Sequence, residues 1–322
     1  MTDGTMFIFP GQGSQYAGMG SDLCAEFAVA RDLYAEANDV LGFDITALSH
    51  AGPEEELGLT RNTQPALLTH QMACLKVFNE LTDHAVQPTV AAGHSLGEYT
   101  ALVAAGALSF ADGLRLVRRR GELMGEYGTG GMLALGLDLA AAGELADQFY
   151  CQVGGCNLPE QTVIGGAEED LTRLEAALAE HYPRKRAARL KTEGAFHTYL
   201  MVHAAREFRA VLDGYRFAPA DCAVLSNYSG RPHSATPEAI RTALFFQLFN
   251  PVKWVSCMRT AVEQGITRII EFGGGIGTGE GPAEKKPNLQ GLVNKNLRAL
   301  NHEAAYLACI NVSGLRAAAE QV

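Results

Sequence analysis

Short, wholly apolar runs alternate along this chain with longer stretches in which apolar residues recur every three or four positions. The short runs predict buried strands, and the longer stretches predict helices packed on them. Residues 6–9 are the first such run. Residues 21–83 carry the helical period, most clearly over 22–40 and 64–81. A second buried strand is expected to end at 89–92, followed by an Ala- and Leu-rich buried helix over 96–108 and an amphipathic one over 110–127. After the glycines of 128–131 the texture changes. Residues 132–137 read as a strand, 139–149 as a helix, and 152–154 with 162–164 as a hairpin turning through 157–160. A helix over 168–181 and a strand over 187–190 complete the order β-α-β-β-α-β, the ferredoxin-like pattern. A small subdomain is therefore expected at 130–194, hinged at Gly128 to Gly131 and at Gly194. It would interrupt a larger α/β domain made of 1–129 and 195–322. That domain resumes with a helix over 199–212, a strand over 223–226, a helix over 237–249 and a strand over 266–272, with no internal repeat.

The strongest chemical signal lies between the second strand and the helix that follows it. Gly93-His94-Ser95-Leu96-Gly97 is Gly-x-Ser-x-Gly in a strand-turn-helix setting, the arrangement of a nucleophile elbow. The glycines flank the serine because the turn has no room for side chains beside it. The turn lifts the Ser95 hydroxyl from the sheet edge and sets it at a helix N-terminus, which favours negative charge. The first strand ends in another tight loop, Pro10-Gly11-Gln12-Gly13-Ser14-Gln15. It is not a nucleotide loop: Tyr16 stands where a dinucleotide fingerprint wants Gly or Ala, and no Gly-Lys-Ser/Thr occurs. What remains is a turn able to aim backbone N–H groups into a cleft. The run Gly273 to Gly281, with six glycines, also fails the fingerprint and reads with Pro282, Lys285, Lys286 and Pro287 as a mobile loop.

A serine nucleophile needs a base. His94 belongs to the elbow itself, where its side chain does not turn readily to Ser95. His197, after two small residues at another predicted strand-to-helix edge, is the better candidate. No aspartate stands out as a third member. Arg115, Arg118 and Arg119 on the 110–127 helix read as a solvated face.

Charge and composition narrow the partners. A net charge of −10 and a pI near 5.4 argue against nucleic acid as the main partner. No apolar run reaches the roughly 18 residues a membrane span needs, and no signal peptide is apparent at the N-terminus. Seven scattered cysteines form neither a disulfide framework nor a metal-ligand spacing. They are expected to be buried thiols in a reducing cytoplasm.

Five motifs then occur in a fixed order: Phe9-Pro-Gly-Gln-Gly-Ser-Gln15, Gly93-His-Ser-Leu-Gly-Glu-Tyr99, Arg120-Gly-Glu-Leu-Met124, Ala195-Phe-His197 and Gln247-Leu-Phe-Asn-Pro-Val252. In this the chain closely resembles the malonyl-CoA:acyl-carrier-protein transacylases, including the free-standing acyltransferases of polyketide synthesis, from residue 6 to about 275. The resemblance implies an α/β-hydrolase-like core with a ferredoxin-like insert. It implies Ser95 as nucleophile and His197 as base, the histidine being oriented by a main-chain carbonyl near Gln247 or Asn250. The N–H groups of Gln12 and Leu96 would form the oxyanion hole. Arg120 would hold the free carboxylate of a malonyl-type group, and Phe196 is similar to the choice of malonyl-selective members. Gln64, Asn157 and Gln247 match further positions near the cleft. The implied partners are a coenzyme A thioester as substrate and an acyl carrier protein, with no metal or other cofactor, and a monomer is expected. In the family the last core strand is followed by a Gly-Pro turn and an apolar helix. Residues 273–288 here are glycine-rich and polar instead, which points to specialised acyl or carrier recognition.

Rival readings are a thioester hydrolase that edits carrier proteins, a transferase with an acyl-carrier donor, and a non-catalytic carrier-binding protein. Arg120 speaks against the first, and the intact set of Ser95, His197 and Gln12 against the last. Two groups of cations stand out as carrier-docking candidates in an acidic chain: Arg184, Lys185, Arg186, Arg189 and Lys191, and the pair Lys285 and Lys286.

Overall fold

The computed structural model describes residues 4–322. Among them lie strands β1 (Gly4–Phe9), β2 (Val90–Gly93), β3 (Gly131–Leu135), β4 (Gln152–Leu158), β5 (Gln161–Gly166), β6 (Ala187–Leu190), β7 (Ala223–Leu225), β8 (Ile266–Phe272) and β9 (Ala305–Cys309). They form two sheets. One is parallel, in the order β7-β2-β1-β8-β9; the other is antiparallel, in the order β4-β5-β3-β6.

The apolar runs without alternation are explained by burial on both faces of the parallel sheet. Along β1, Phe7 and Phe9 enter one core with Phe78 and Phe272, while Met6 and Ile8 enter a second with Trp254, Ile269 and Val293. Helices Thr60–Leu81 and Phe110–Glu126 cover the first face, and Trp254–Glu263 and Gln290–Ala299 cover the second. The antiparallel sheet divides its residues in the same way. Leu133, Leu135 and Ile164 pack under helices Leu139–Asp147 and Glu168–His181, whereas Met132 and Val163 face the main body. Its two connections run side by side, with Ala195 N–H donating to the Thr129 carbonyl at 2.8 Å.

Several boundaries differ from the sequence expectation. The 152–164 hairpin has longer strands and turns at Pro159 and Glu160 rather than through 157–160. The 22–40 helix is broken at Phe27, and the 199–212 helix opens with a 3-10 turn, Tyr199–Met201. The helix expected from residue 64 starts at Thr60, so Pro65 lies inside it. Proline supplies no N–H to the carbonyl four residues back, and Arg118 Nη1 donates to that Arg61 carbonyl instead, at 3.0 Å. Arg118 is therefore not merely solvated: it also donates to Asn62 Oδ1 at 2.7 Å and lies over the Phe43 ring. Arg115 and Arg119 do lie on the exposed face.

The loop after β8 is folded back rather than open. Ile276 and Lys286 form an isolated antiparallel bridge, and Lys285 Nζ donates to the Gly277 carbonyl at 3.0 Å. Gly274 has φ 69°. Proline, which the resemblance puts second in this turn, is fixed near −65° and cannot take that conformation.

Strands β2, β1 and β8 are neighbours and all point the same way, so their C-terminal loops leave one edge of the sheet together. Those loops are the elbow, the Pro10–Ser14 turn and the glycine run. In a parallel sheet the crevice outside the carboxyl ends of the strands is where ligands bind.

Candidate active site

The elbow is built as the motif requires. Ser95 has φ 53° and ψ −101°, a conformation costing on the order of 1–3 kcal/mol for a residue with a side chain. Gly93 and Gly97 permit it. A Cβ on Gly93 would lie 1.8 Å from the Gly97 carbonyl carbon, and one on Gly97 would lie 2.0 Å from Phe9 O. Asn227 holds the strained turn: its Oδ1 accepts from Ser95 N–H at 2.7 Å and its Nδ2 donates to the Gly93 carbonyl at 2.8 Å.

His197 reaches this serine across 102 residues of chain. Its Nε2 lies 2.7 Å from Ser95 Oγ, and its Nδ1 lies 2.8 Å from the Gln247 carbonyl oxygen. A carbonyl only accepts, so Nδ1 carries the hydrogen, and Nε2 is left to accept from the Ser95 hydroxyl. Burial, with the Arg120 cation second, pushes the imidazole from its ordinary 6.5 down to about 3, against the opposing pull of the Gln247 carbonyl. The ring is therefore neutral at pH 7, the form a base must have. His94 is turned away, its Nε2 2.8 Å from Asn157 Oδ1.

Arg120 is 1% exposed. Its Nη2 donates to Ser95 Oγ at 3.2 Å and to Gln247 Oε1 at 3.1 Å, and its Nη1 donates to Gln64 Oε1 at 3.0 Å. Its Nε has no partner, so donors remain for an anion. Burial lowers the guanidinium from its ordinary value, offset by Tyr99, whose ring lies beneath it, and by Glu98.

Ser95, His197, Arg120, Gln12, Leu96, Gln64, Asn157 and Phe196 all line one cleft of about 400 Å³, between the parallel sheet and the antiparallel one. Leu96 opens a helix, so its N–H has no partner within that helix. Gln247 is fully buried behind the cleft and acts through its neighbours, its Nε2 donating to the Ser95 carbonyl and to Glu98 Oε2, both at 2.9 Å.

Sequence reasoning missed three residues of this support. Glu98 is buried and also accepts from Asn227 N–H at 2.9 Å and from His233 Nε2 at 2.7 Å. Ser95-x-x-Glu98 matches a capping box, a signal that misleads here, because Ser95 makes no side-chain cap. Asn227 and His233 come from distant loops and carry no motif.

Known proteins resemble this chain over most of its length. The family model described as acyl transferase domain matches residues 6–272. The chain is 41% identical over 278 residues to the malonyl CoA-acyl carrier protein transacylase of Bacillus subtilis, covering 84% of this chain and 86% of that protein. It is also 41% identical over 273 residues to the polyketide biosynthesis protein ThaF of Burkholderia thailandensis, 84% of this chain and 23% of that much longer one. Among solved structures, a malonyl-transacylase in complex with its type II polyketide-synthase acyl-carrier protein superposes with a TM-score of 0.88 at 36% identity. The match covers 99% of this chain and 100% of that one.

Proposed function

The chain belongs to the acyl transferase domain family, and on that premise we propose that it moves a malonyl-type acyl group from coenzyme A to the phosphopantetheine thiol of an acyl carrier protein. The observation that carries this reading is the 3.2 Å approach of Arg120 Nη2 to Ser95 Oγ. A fixed cation beside the nucleophile suits an acyl group whose far end is a carboxylate, which a guanidinium can hold with paired hydrogen bonds.

Ser95 Oγ attacks the thioester carbonyl carbon while His197 Nε2 takes the hydroxyl proton. The N–H groups of Gln12 and Leu96 receive the developing oxyanion. Collapse breaks the C–S bond, the thiol leaves with the proton from His197, and the acyl group stays on Ser95 as an ester. The carrier's thiol then gives its proton to His197 and attacks the ester, which restores Ser95. These steps call on no metal or redox group.

The finer architecture follows the same reading. We take the parallel sheet and its helices, residues 1–129 and 195–322, as an α/β-hydrolase-like core. Residues 130–194 are a ferredoxin-like subdomain, supported by the β-α-β-β-α-β order and the strand order β4-β5-β3-β6. Among the described residues no helix is long and apolar enough to cross a membrane, and the seven free cysteines suit the cytoplasm.

Radiolabelled malonyl-CoA tests the function directly. Transfer of label from an acyl-enzyme to carrier protein is the expected result; release of free malonate instead would indicate a hydrolase. The pH profile gives a second check. Because burial and Arg120 hold His197 down to about 3, kcat/KM for acylation should stay flat from about pH 8 down to about pH 5. A loss of activity centred near the ordinary 6.5 would mean that another, solvated group is the base.

The carrier step requires a positive patch on an acidic chain. Arg189 is already committed to Glu168 and Glu175. Arg184, Lys185, Arg186 and Lys191 are exposed, and Lys191 lines the cleft. Arg184→Glu with Arg186→Glu should slow transfer to carrier several-fold at low salt while leaving self-acylation unchanged. The wild-type carrier step should weaken as salt rises past the roughly 10 Å screening length of 0.1 M. Unchanged carrier turnover in the double variant would remove this patch from the docking surface.

A further inference from the structure

We infer that Gly273, Gly274 and Gly275 are a brace that fixes the oxyanion loop, and that close approach, not flexibility, is why all three are glycine. The inference rests on the reading that Gln12 N–H receives the oxyanion, and it assigns positioning residues to a run that otherwise looks like a loose linker.

The run leaves β8 beside the turn that leaves β1, and the two turns are packed backbone to backbone. Gly273 and Gly274 have φ 70° and 69°. A Cβ on Gly273 would come within 2.8 Å of Gln71 Cα. One on Gly274 would come within 2.6 Å of Ser14 Oγ, 2.8 Å of Ser14 Cβ and 2.9 Å of Pro10 Cγ. Gly275 N–H donates to the Ser14 carbonyl at 2.7 Å. From there the bonds continue through the turn itself. Ser14 Oγ donates to the Gly11 carbonyl at 2.7 Å, and Gln71 Nε2 donates to the Pro10 carbonyl at 2.6 Å. Gly11 in turn lies against the elbow, where a Cβ would sit 2.4 Å from His94 O.

Gln12 therefore hangs between residues tied on both sides, Pro10 and Gly11 before it and Ser14 after it. An N–H held this way need not reorganise when charge develops, which is the condition for strong oxyanion stabilisation. Farther along the same run no glycine presses on the oxyanion turn: a Cβ on Gly279 would meet Glu284 at 2.4 Å instead. Gly277 and Gly281 also have positive φ, 112° and 80°, but a Cβ on either would meet nothing within 4 Å. Those glycines serve only the turn.

This contrast supplies the test. Gly274→Ala and Gly277→Ala both place a Cβ at positive φ, so they share the cost of backbone strain, but only the first pushes on Ser14 and Pro10. The measurement is the single-turnover rate of Ser95 acylation at saturating malonyl-CoA, with KM and melting temperature recorded alongside. Gly274→Ala should slow acylation on the order of tenfold to a hundredfold with KM within about threefold, as a misplaced oxyanion donor does. Gly277→Ala should stay within about twofold of wild type, since it alters no contact with the turn. Adding Ser14→Gly to Gly274→Ala removes the side chain in the way and should recover part of the rate. If Gly274→Ala does not fold, Ser14→Ala, which leaves every glycine in place and deletes only the bond to Gly11, should still acylate several-fold more slowly. Equal rates for the two glycine variants, or a wild-type rate for Ser14→Ala where Gly274→Ala is unfolded, overturn the brace. The functional reading fails separately, if wild-type protein is not acylated on Ser95 at all.

Discussion

Ser95→Ala is expected to abolish covalent acylation and to lower malonyl transfer by roughly ten-thousandfold or more, the scale on which loss of a nucleophile acts in serine hydrolases. Every part of the site converges on that oxygen. The elbow exposes it, His197 Nε2 accepts its proton at 2.7 Å, and Arg120 approaches at 3.2 Å. None of these contacts builds the fold. The turn is held by the Asn227 bonds to the Ser95 N–H and the Gly93 carbonyl, which use main-chain atoms that alanine keeps. The variant should therefore fold, with a melting temperature within a few degrees of wild type, since one partly exposed hydroxyl contributes only about 1 kcal/mol. Intact-protein mass after incubation with malonyl-CoA, followed by peptide mapping, reads the result. An acyl group found on another residue of the wild type, or retained by the variant, would sink the assignment.

What the sequence revealed of this site and what it hid differ in kind. Ser95, His197 and Arg120 each act through a side chain whose chemistry is visible in one letter, and the glycines around Ser95 announce the turn. Gln247 is different, because what His197 touches is its carbonyl, which any residue would have. The residue pattern by itself registers only that no aspartate is available, and the carbonyl near Gln247 or Asn250 comes from the family resemblance alone. Glu98, Asn227 and His233 come together through tertiary contact alone. Glycine run 273–275 shows the same blindness from the other side. Its composition is that of a mobile loop, and only the neighbours show that the missing Cβ atoms are space already taken: Gln71 at Gly273, Ser14 and Pro10 at Gly274, and Lys285 and Tyr16 at Gly275. The fold was legible wherever period and length agreed, as in β8 and the helix Glu168–His181. It was misread where one residue overrode the pattern, as at Phe27 and at Pro65, whose freed carbonyl Arg118 satisfies. Strand β9 passed unread because only Leu307, Cys309 and little else of it are buried.

Arg120→Ala should invert acyl preference rather than simply weaken the enzyme. In the free protein Arg120 is a buried cation with no salt bridge to a carboxylate among the described residues, and Glu98 is joined to it by hydrogen bonds through Gln247. A bound malonyl group supplies the missing anion. Losing a charge-assisted pair of this kind costs about 1.5–3 kcal/mol, so malonyl transfer should fall on the order of tenfold to a hundredfold. Acetyl transfer obeys a different balance. Burial is the larger cause that holds His197 low, and the Arg120 charge is the second. An acetyl group leaves that charge uncompensated while His197 must take a proton beside it. Removing the guanidinium relieves this repulsion, so acetyl transfer should hold or rise in the same variant. The charge-conserving Arg120→Lys separates the two effects: it keeps the repulsion but loses the fork, so malonyl transfer should fall less than in Arg120→Ala and acetyl transfer should stay low. Competition between malonyl-CoA and acetyl-CoA for Ser95, read by mass spectrometry of the acyl-enzyme, gives the ratio directly. Equal losses for both acyl groups in Arg120→Ala would make Arg120 a structural residue, a cation needed only to tie Gln64 and Gln247 in place.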